Sequence, residues 1–115
     1  MDKMEKMWRH LTPEQRLWSE VFGFNPQGIP DLDGARVRAM VDALPNREAQ
    51  AVRLRFGFGG RPQSLQRVAT QLLRANGTVG VSREIVRREL ERSLRRLRGR
   101  RRVWQEAIIG KGDSP

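Results

Sequence analysis

A chain of 115 residues has room for one packed domain and little room for a second core. Its 37% hydrophobic content supports a modest core, and 23 Lys and Arg against 13 Asp and Glu give a formal charge of +10, which favours polyanionic partners, nucleic acid first. There is no cysteine, so disulfide frameworks, thiolate nucleophiles and cysteine-ligated zinc are excluded.

No apolar run nears the roughly 20 residues that span a bilayer, and the charged stretch Met1 to His10 is unlike a signal peptide. The expectation is a soluble, unprocessed, cytoplasmic protein with no membrane partner and no cofactor. In chain order, Thr12, Pro13, Glu14 and Gln15 form a helix start: a threonine cap, proline at the first helical position and glutamine three residues after the cap. That helix runs to about Phe22, with Leu17, Trp18, Val21 and Phe22 on one face, and Gly23, Asn25 and Pro26 as its stop. Gly28, Pro30, Asp31 and Asp33 read as a linker. From Asp33, Val37, Met40, Val41 and Leu44 recur at helical spacing, predicting a short helix that ends near Pro45. Asn46 to Phe56 is a further helix with Ala49, Val52 and Phe56 on its stripe, closed by Gly57, and Phe58 to Gln63 is a loop.

Ser64 caps the next helix, predicted through Thr70 to Arg74, with Leu65, Val68, Ala69 and Leu72 facing the core before Asn76 and Gly77 break it. Ser82 caps the longest helix, where Val86, Leu90, Leu94 and Leu97 share a face, and Gly99 frays or bends it. Alternating β-branched runs are absent. The expected fold is all-α, a small bundle of about five or six helices with a C-terminal helix-turn-helix. Residues 1–32 form an N-terminal helical extension and linker, 33–102 the helix-turn-helix domain and 103–115 a tail. The triplet Phe-Gly-Phe, at Phe22 to Phe24 and Phe56 to Phe58, reads as two helix C-caps and no repeat.

Chemistry concentrates in the last predicted helix. Ten arginines lie between Arg83 and Arg102 against three glutamates, so this stretch supplies +7 of the +10. A charge run is usually a solvated face with intrahelical Glu–Arg pairs. Here a capped helix and a turn precede it, the arrangement of a helix-turn-helix whose second helix enters the major groove.

Several ordered stretches resemble region 4 of the bacterial sigma-70 family. Arg47-Glu48-Ala49-Gln50-Ala51-Val52-Arg53-Leu54-Arg55-Phe56-Gly57 resembles Arg-Glu-x-x-Val-Leu-x-Leu-Arg-Phe-Gly, and Ser64-Leu65-Gln66-Arg67-Val68-Ala69 resembles Thr-Leu-Glu-Glu-Val-Gly. Val81-Ser82-Arg83-Glu84 and Leu94-Arg95-Arg96-Leu97-Arg98 match that family's Val-Ser-Arg-Glu and Leu-Arg-Lys-Leu-Arg. The resemblance covers Leu44 to Arg98 and implies a double-stranded DNA partner, with RNA polymerase or a sigma partner subunit as a second. It implies that Arg83, Glu84, Arg87 and Arg88 face bases of a promoter element. Arg47, Arg55, Ser64, Leu65, Gln66 and Arg92 would then hold phosphates, with Arg95 and Arg98 on a partner surface; Trp104, Ile108 and Ile109, beyond the basic helix, are expected to pack on the N-terminal helix or on such a partner surface.

Three departures qualify the resemblance. Arg88 stands where the family carries glutamine, and arginine favours guanine where glutamine favours adenine. Roughly seven extra residues, about Leu73 to Val79, separate the two helices, where turns of 3–4 residues are usual; they either extend the first helix through Arg74 or form a wing near the backbone. The long aromatic segment with which complete sigma factors grip polymerase has no counterpart, so the expectation is a free-standing regulator or half of a split sigma factor.

The competing readings are a sigma mimic that docks on polymerase or a sigma partner without base readout, and an RNA-binding protein. Trp8, Trp18 and Trp104 read as core or interface anchors before they read as stacking platforms. His10, Asp31 and Asp33 match no ligand or acid–base spacing, and Gly57, Gly59 and Gly60 precede no strand-to-helix phosphate loop. No enzyme reading has a nucleophile to stand on.

Overall fold

Four of the six described helices start where a side chain offers an acceptor to the first backbone N–H groups. In the computed structural model, which describes residues 8–23 and 28–109, the helices are α1 Pro13–Phe22, α2 Gly34–Asp42, α3 Asn46–Phe56, α4 Leu65–Gln71, α5 Arg83–Arg98 and α6 Arg101–Ala107. The capping box at Thr12 forms in full: its hydroxyl accepts from Gln15 N, and the Gln15 side chain accepts from Thr12 N. Asp33, Ser64 and Ser82 cap α2, α4 and α5 through their side-chain oxygens. Asn25 and Pro26, expected in the stop after α1, and Phe24 of the first Phe-Gly-Phe lie outside the described residues.

The fold is all-α among the described residues, and no described helix is long and apolar enough to cross a membrane. Its core gathers Leu17 and Val21 of α1, Val37, Met40 and Val41 of α2, Ala49, Val52 and Phe56 of α3, Val68 and Ala69 of α4, and Val86, Leu90 and Leu97 of α5. Helices α3, α4 and α5 pack on one another, and α1 lies against α3 and α5. This arrangement seats α5 on a broad base while leaving its arginine-rich side to solvent.

Two buried carboxylates stitch α3 to α5. Glu48 accepts from Arg96 Nε at 3.1 and 3.3 Å and from the Ser93 hydroxyl at 3.4 Å. Glu89 lies 3.6 Å from Arg47 and 3.8 Å from Arg92. Such groups are retained inside only when paired, and their three arginine partners stay partly or largely exposed.

The segment before α2 meets the end of α6. Leu32 and Ile108 form an isolated antiparallel bridge, Asp33 N donates to Ala107 O at 2.7 Å, and Ile109 N donates to Asp31 O at 2.9 Å. The stretch read as a linker is therefore docked, and part of the stretch read as a tail is helical and packs on α2. Trp104, at 1% exposure, stands edge-on to Trp18 and Phe22 at 5.5 and 5.6 Å and donates from Nε1 to Leu97 O.

At the turn after α3, Gly57 adopts φ 79°, and a Cβ there would lie 2.7 Å from Pro62 N and 2.9 Å from Gly60 O. The left-handed cap folds the 58–63 loop back on the helix end, with Gln63 N donating to Leu54 O.

Glu20, half-buried on α1, has its carboxyl pushed above the usual range by burial, an effect partly offset by the Arg55 charge. An acid raised by folding loses stability as pH rises from the unfolded group's titration range through the folded one. Glu20→Gln is expected to raise stability at neutral pH, by no more than about 1 kcal/mol for a group that keeps solvent access. The gain should vanish in acid, as paired melts at low and neutral pH would reveal; a gain that persists in acid contradicts the assignment.

Candidate nucleic-acid interface

Helix α5 has a periodic plan that separates core from surface. Val86, Glu89, Leu90, Ser93 and Leu97 are buried, and Arg83, Glu84, Arg87, Arg88, Glu91, Arg92, Arg95 and Arg98 are exposed. The four residues expected at bases, Arg83, Glu84, Arg87 and Arg88, fall on the first two turns. Ser82 accepts from Ile85 N and fixes where the helix begins. Glu84 binds Arg87 through both carboxylate oxygens at 2.8 and 2.9 Å, with Arg88 Nε 3.9 Å away. The hydrogen bond from Arg87 holds the Glu84 carboxyl below its usual range, so it is an acceptor at neutral pH. Arg83 has no hydrogen-bond or ion-pair partner among the described residues and is fully available.

Ile85 was missed in the sequence. It is 36% exposed on the first turn of α5, an apolar side chain among charged ones. Its signal was there: Ile85 stands beside Val86 and five residues before Leu90, so it falls off the buried stripe.

The expected phosphate ligands divide. Gln66 and Arg92 are exposed, and the Ser64 hydroxyl caps Arg67 N beside the start of α4. Leu65 packs partly against the core, leaving its backbone N–H at the helix start as the group that can meet an anion. Two of the arginines face inward instead. Arg55 donates to Gln63 O at 2.8 Å and lies 4.9 Å over the Trp8 ring, and Arg47 donates to Leu73 O at 3.1 Å. Both are only partly exposed, Arg47 with Glu89 3.6 Å away and Arg55 stacked on Trp8, so neither presents an open guanidinium to solvent. Arg61 and Arg67, which sequence reasoning passed over, are exposed at the loop and on α4.

The expected partner surface also divides. Arg95 is exposed, Arg98 is exposed but donates from Nε to Val21 O at 2.8 Å, and Trp104 is buried and cannot belong to a surface. Of the remaining candidates, His10 is exposed and Asp33 is spent as the α2 cap.

The connection between α4 and α5 resolves the two alternatives for the extra residues. α4 ends at Gln71, short of the expected Arg74, because Gln50 of α3 intercepts the chain: its Nε2 donates to Gln71 O and its Oε1 accepts from Leu73 N. Leu73 and Val79 then pair in an antiparallel bridge, flanked by Arg74 N to Thr78 O at 2.7 Å and Gly80 N to Leu72 O at 2.9 Å. Val81 N donates to Ala69 O, which ties the base of this hairpin to α4 one residue before the Ser82 cap.

No curated protein and no solved structure matches the chain. The family model described as Sigma-70, region 4 matches residues 40–99, a span that runs from α2 through the Gly99 cap of α5 and includes both buried carboxylates.

Proposed function

The chain belongs to the sigma-70 region 4 family, a DNA-binding helix-turn-helix family of transcription, and from that premise we propose that it is a sequence-specific regulator that reads a promoter element with α5. The observation that carries this reading is the first turn of α5, capped by Ser82, where Arg83 stands free beside the acceptor Glu84. A free guanidinium suits guanine O6 and N7, a carboxylate accepts from cytosine N4, and an exposed Ile85 suits a thymine methyl group. Arg87 and Arg88 follow one turn on. Arg61, Arg67, Arg92 and the backbone at Leu65 and Gln66 would hold phosphates, which position the protein without reading sequence.

Arg83→Ala is expected to relax preference at one base pair by about 1–3 kcal/mol, whereas Arg67→Ala weakens all duplexes alike and lowers the salt slope by about 1. Titrations of specific and random duplexes at several salt concentrations distinguish them. Equal losses on both duplexes for Arg83→Ala would sink base readout.

The second reading, a sigma mimic that docks on polymerase or a sigma partner, is favoured by the Glu84–Arg87 pair, which satisfies both side chains without DNA. Exposed Arg95 is its best surface group. Selection of duplexes from a random pool, with and without polymerase, separates the two. A motif enriched by the protein alone supports regulation, a motif only with polymerase supports a split-sigma role, and none in either supports the mimic.

A further inference from the structure

We infer that the hairpin at residues 73–79 is a second DNA contact, made to the phosphate backbone beside the groove that α5 enters; this rests on the DNA-binding reading above. The first support is rigidity. Arg47 and Gln50 of α3 hold Leu73 and Gln71, the hairpin closes on Ala69 of α4, and the Arg74 Nε donates to Gly80 O. At the tip, Asn76 Oδ1 accepts from both the backbone N and the hydroxyl of Thr78. These bonds hold the hairpin in one place relative to α3 and α4.

The second support is placement. Val79 precedes Ser82 by three residues, so the hairpin stands within about 10 Å of the start of α5, while the major groove is about 12 Å wide between its phosphate rims. If the first turn of α5 reaches base edges, the hairpin reaches a rim.

The third support is what the hairpin displays. Leu73 and Val79, cross-strand partners, are 49% and 61% exposed, and residues 74 to 78 are all exposed. From Ala49 to Arg83 the chain has six arginines and no acidic residue, so nothing in the 58–63 loop, α4 or the hairpin repels an anion. With its Nε held by Gly80, the terminal amino groups of Arg74 have no partner among the described residues and are set for a phosphate oxygen. The apolar pair can lie along sugar edges, which the backbone also presents. The hairpin therefore extends the footprint beyond the recognition helix, and it adds affinity without adding base preference.

The experiment is hydroxyl-radical footprinting together with a salt titration on a selected duplex, using the full chain, Arg74→Ala and Arg74→Lys. Arg74→Ala is expected to lose backbone protection at one edge of the footprint and to lower the salt slope by about 1 with base preference unchanged. Arg74→Lys keeps the charge but not the planar fork held by Gly80, and it should retain the slope. An unaltered footprint and slope in Arg74→Ala overturns the proposal while leaving the DNA-binding reading intact. A loss in Arg74→Lys equal to that in Arg74→Ala assigns the residue to bracing the hairpin and also overturns it. Absence of any footprint for the unmodified chain overturns both.

Discussion

Trp104→Ala is expected to cost about 3–5 kcal/mol, the usual range for removing a buried large aromatic side chain, out of a total that for a domain this size is about 5–15 kcal/mol. The indole fills the junction of α1, α5 and α6. It touches Trp18 and Phe22 and is tied through Nε1 to Leu97 O. Truncation leaves a cavity beside two aromatic rings that are held in place by their positions on α1. Trp104→Phe is the milder control: Leu97 O still accepts from Arg100 N, so only about 1 kcal/mol of hydrogen bonding is lost along with part of the packing. Denaturant melts of the three proteins measure the difference. An alanine variant within 1 kcal/mol of the parent would show that the α6 end contributes little to the core.

The second large effect belongs to a residue with no side chain. Gly57→Ala must place a Cβ in the left-handed region, which costs about 1–2 kcal/mol, and must also push it to within 2.7 Å of Pro62 N and 2.9 Å of Gly60 O. Both contacts are backbone, so relief requires moving the 58–63 loop that leads into α4, and the total is expected near 3 kcal/mol. Gly57→Asn separates the two causes. Asparagine tolerates the left-handed conformation but carries the same Cβ. If conformation dominates, asparagine rescues most of the loss in Tm; if close approach dominates, it rescues little, which is the expected result.

These two positions mark how far the sequence could be read. Gly57 was recognisable as a helix stop because cap chemistry is local, and the same holds for Thr12 with Gln15, for Ser64 and for Ser82. Apolar periodicity likewise identified the buried faces of α2, α3 and α5. What stayed hidden depends on residues far apart in the chain. Trp104 is expected against the N-terminal helix or a partner, and only the fold selects Trp18 and Phe22 as its cover. The helix before the hairpin stops early because the Gln50 side chain, some twenty positions back, takes its last carbonyl. The arginine run from Arg83 to Arg102 looks continuous, yet Gly99 divides it between two helices.

The candidate interface was legible in outline for the same reason. Arg83, Glu84 and Arg88 are surface residues by their own helix's periodicity, which sequence displays. Arg47 and Arg55 look equivalent to them in sequence but are partly buried, Arg47 beside Glu89 and Arg55 over the Trp8 ring. Counting cations therefore overstates the number fully open to DNA, and Arg96 is paired with the buried Glu48 as well.

The pairing of Leu32 with Ile108 bears on the order in which the molecule assembles. Helices α3, α4 and α5 are neighbours in sequence, and their contacts close short loops, whereas joining residues 32 and 108 closes a loop of about seventy-five residues, and each doubling of loop length adds about 0.6 kcal/mol of entropic cost. The three-helix unit can gather first and the clasp between residues 31–33 and 107–109 last. Opened from the folded state, the clasp is then the place where the chain parts first, exposing the aromatic junction while α5 stays seated on α3 and α4.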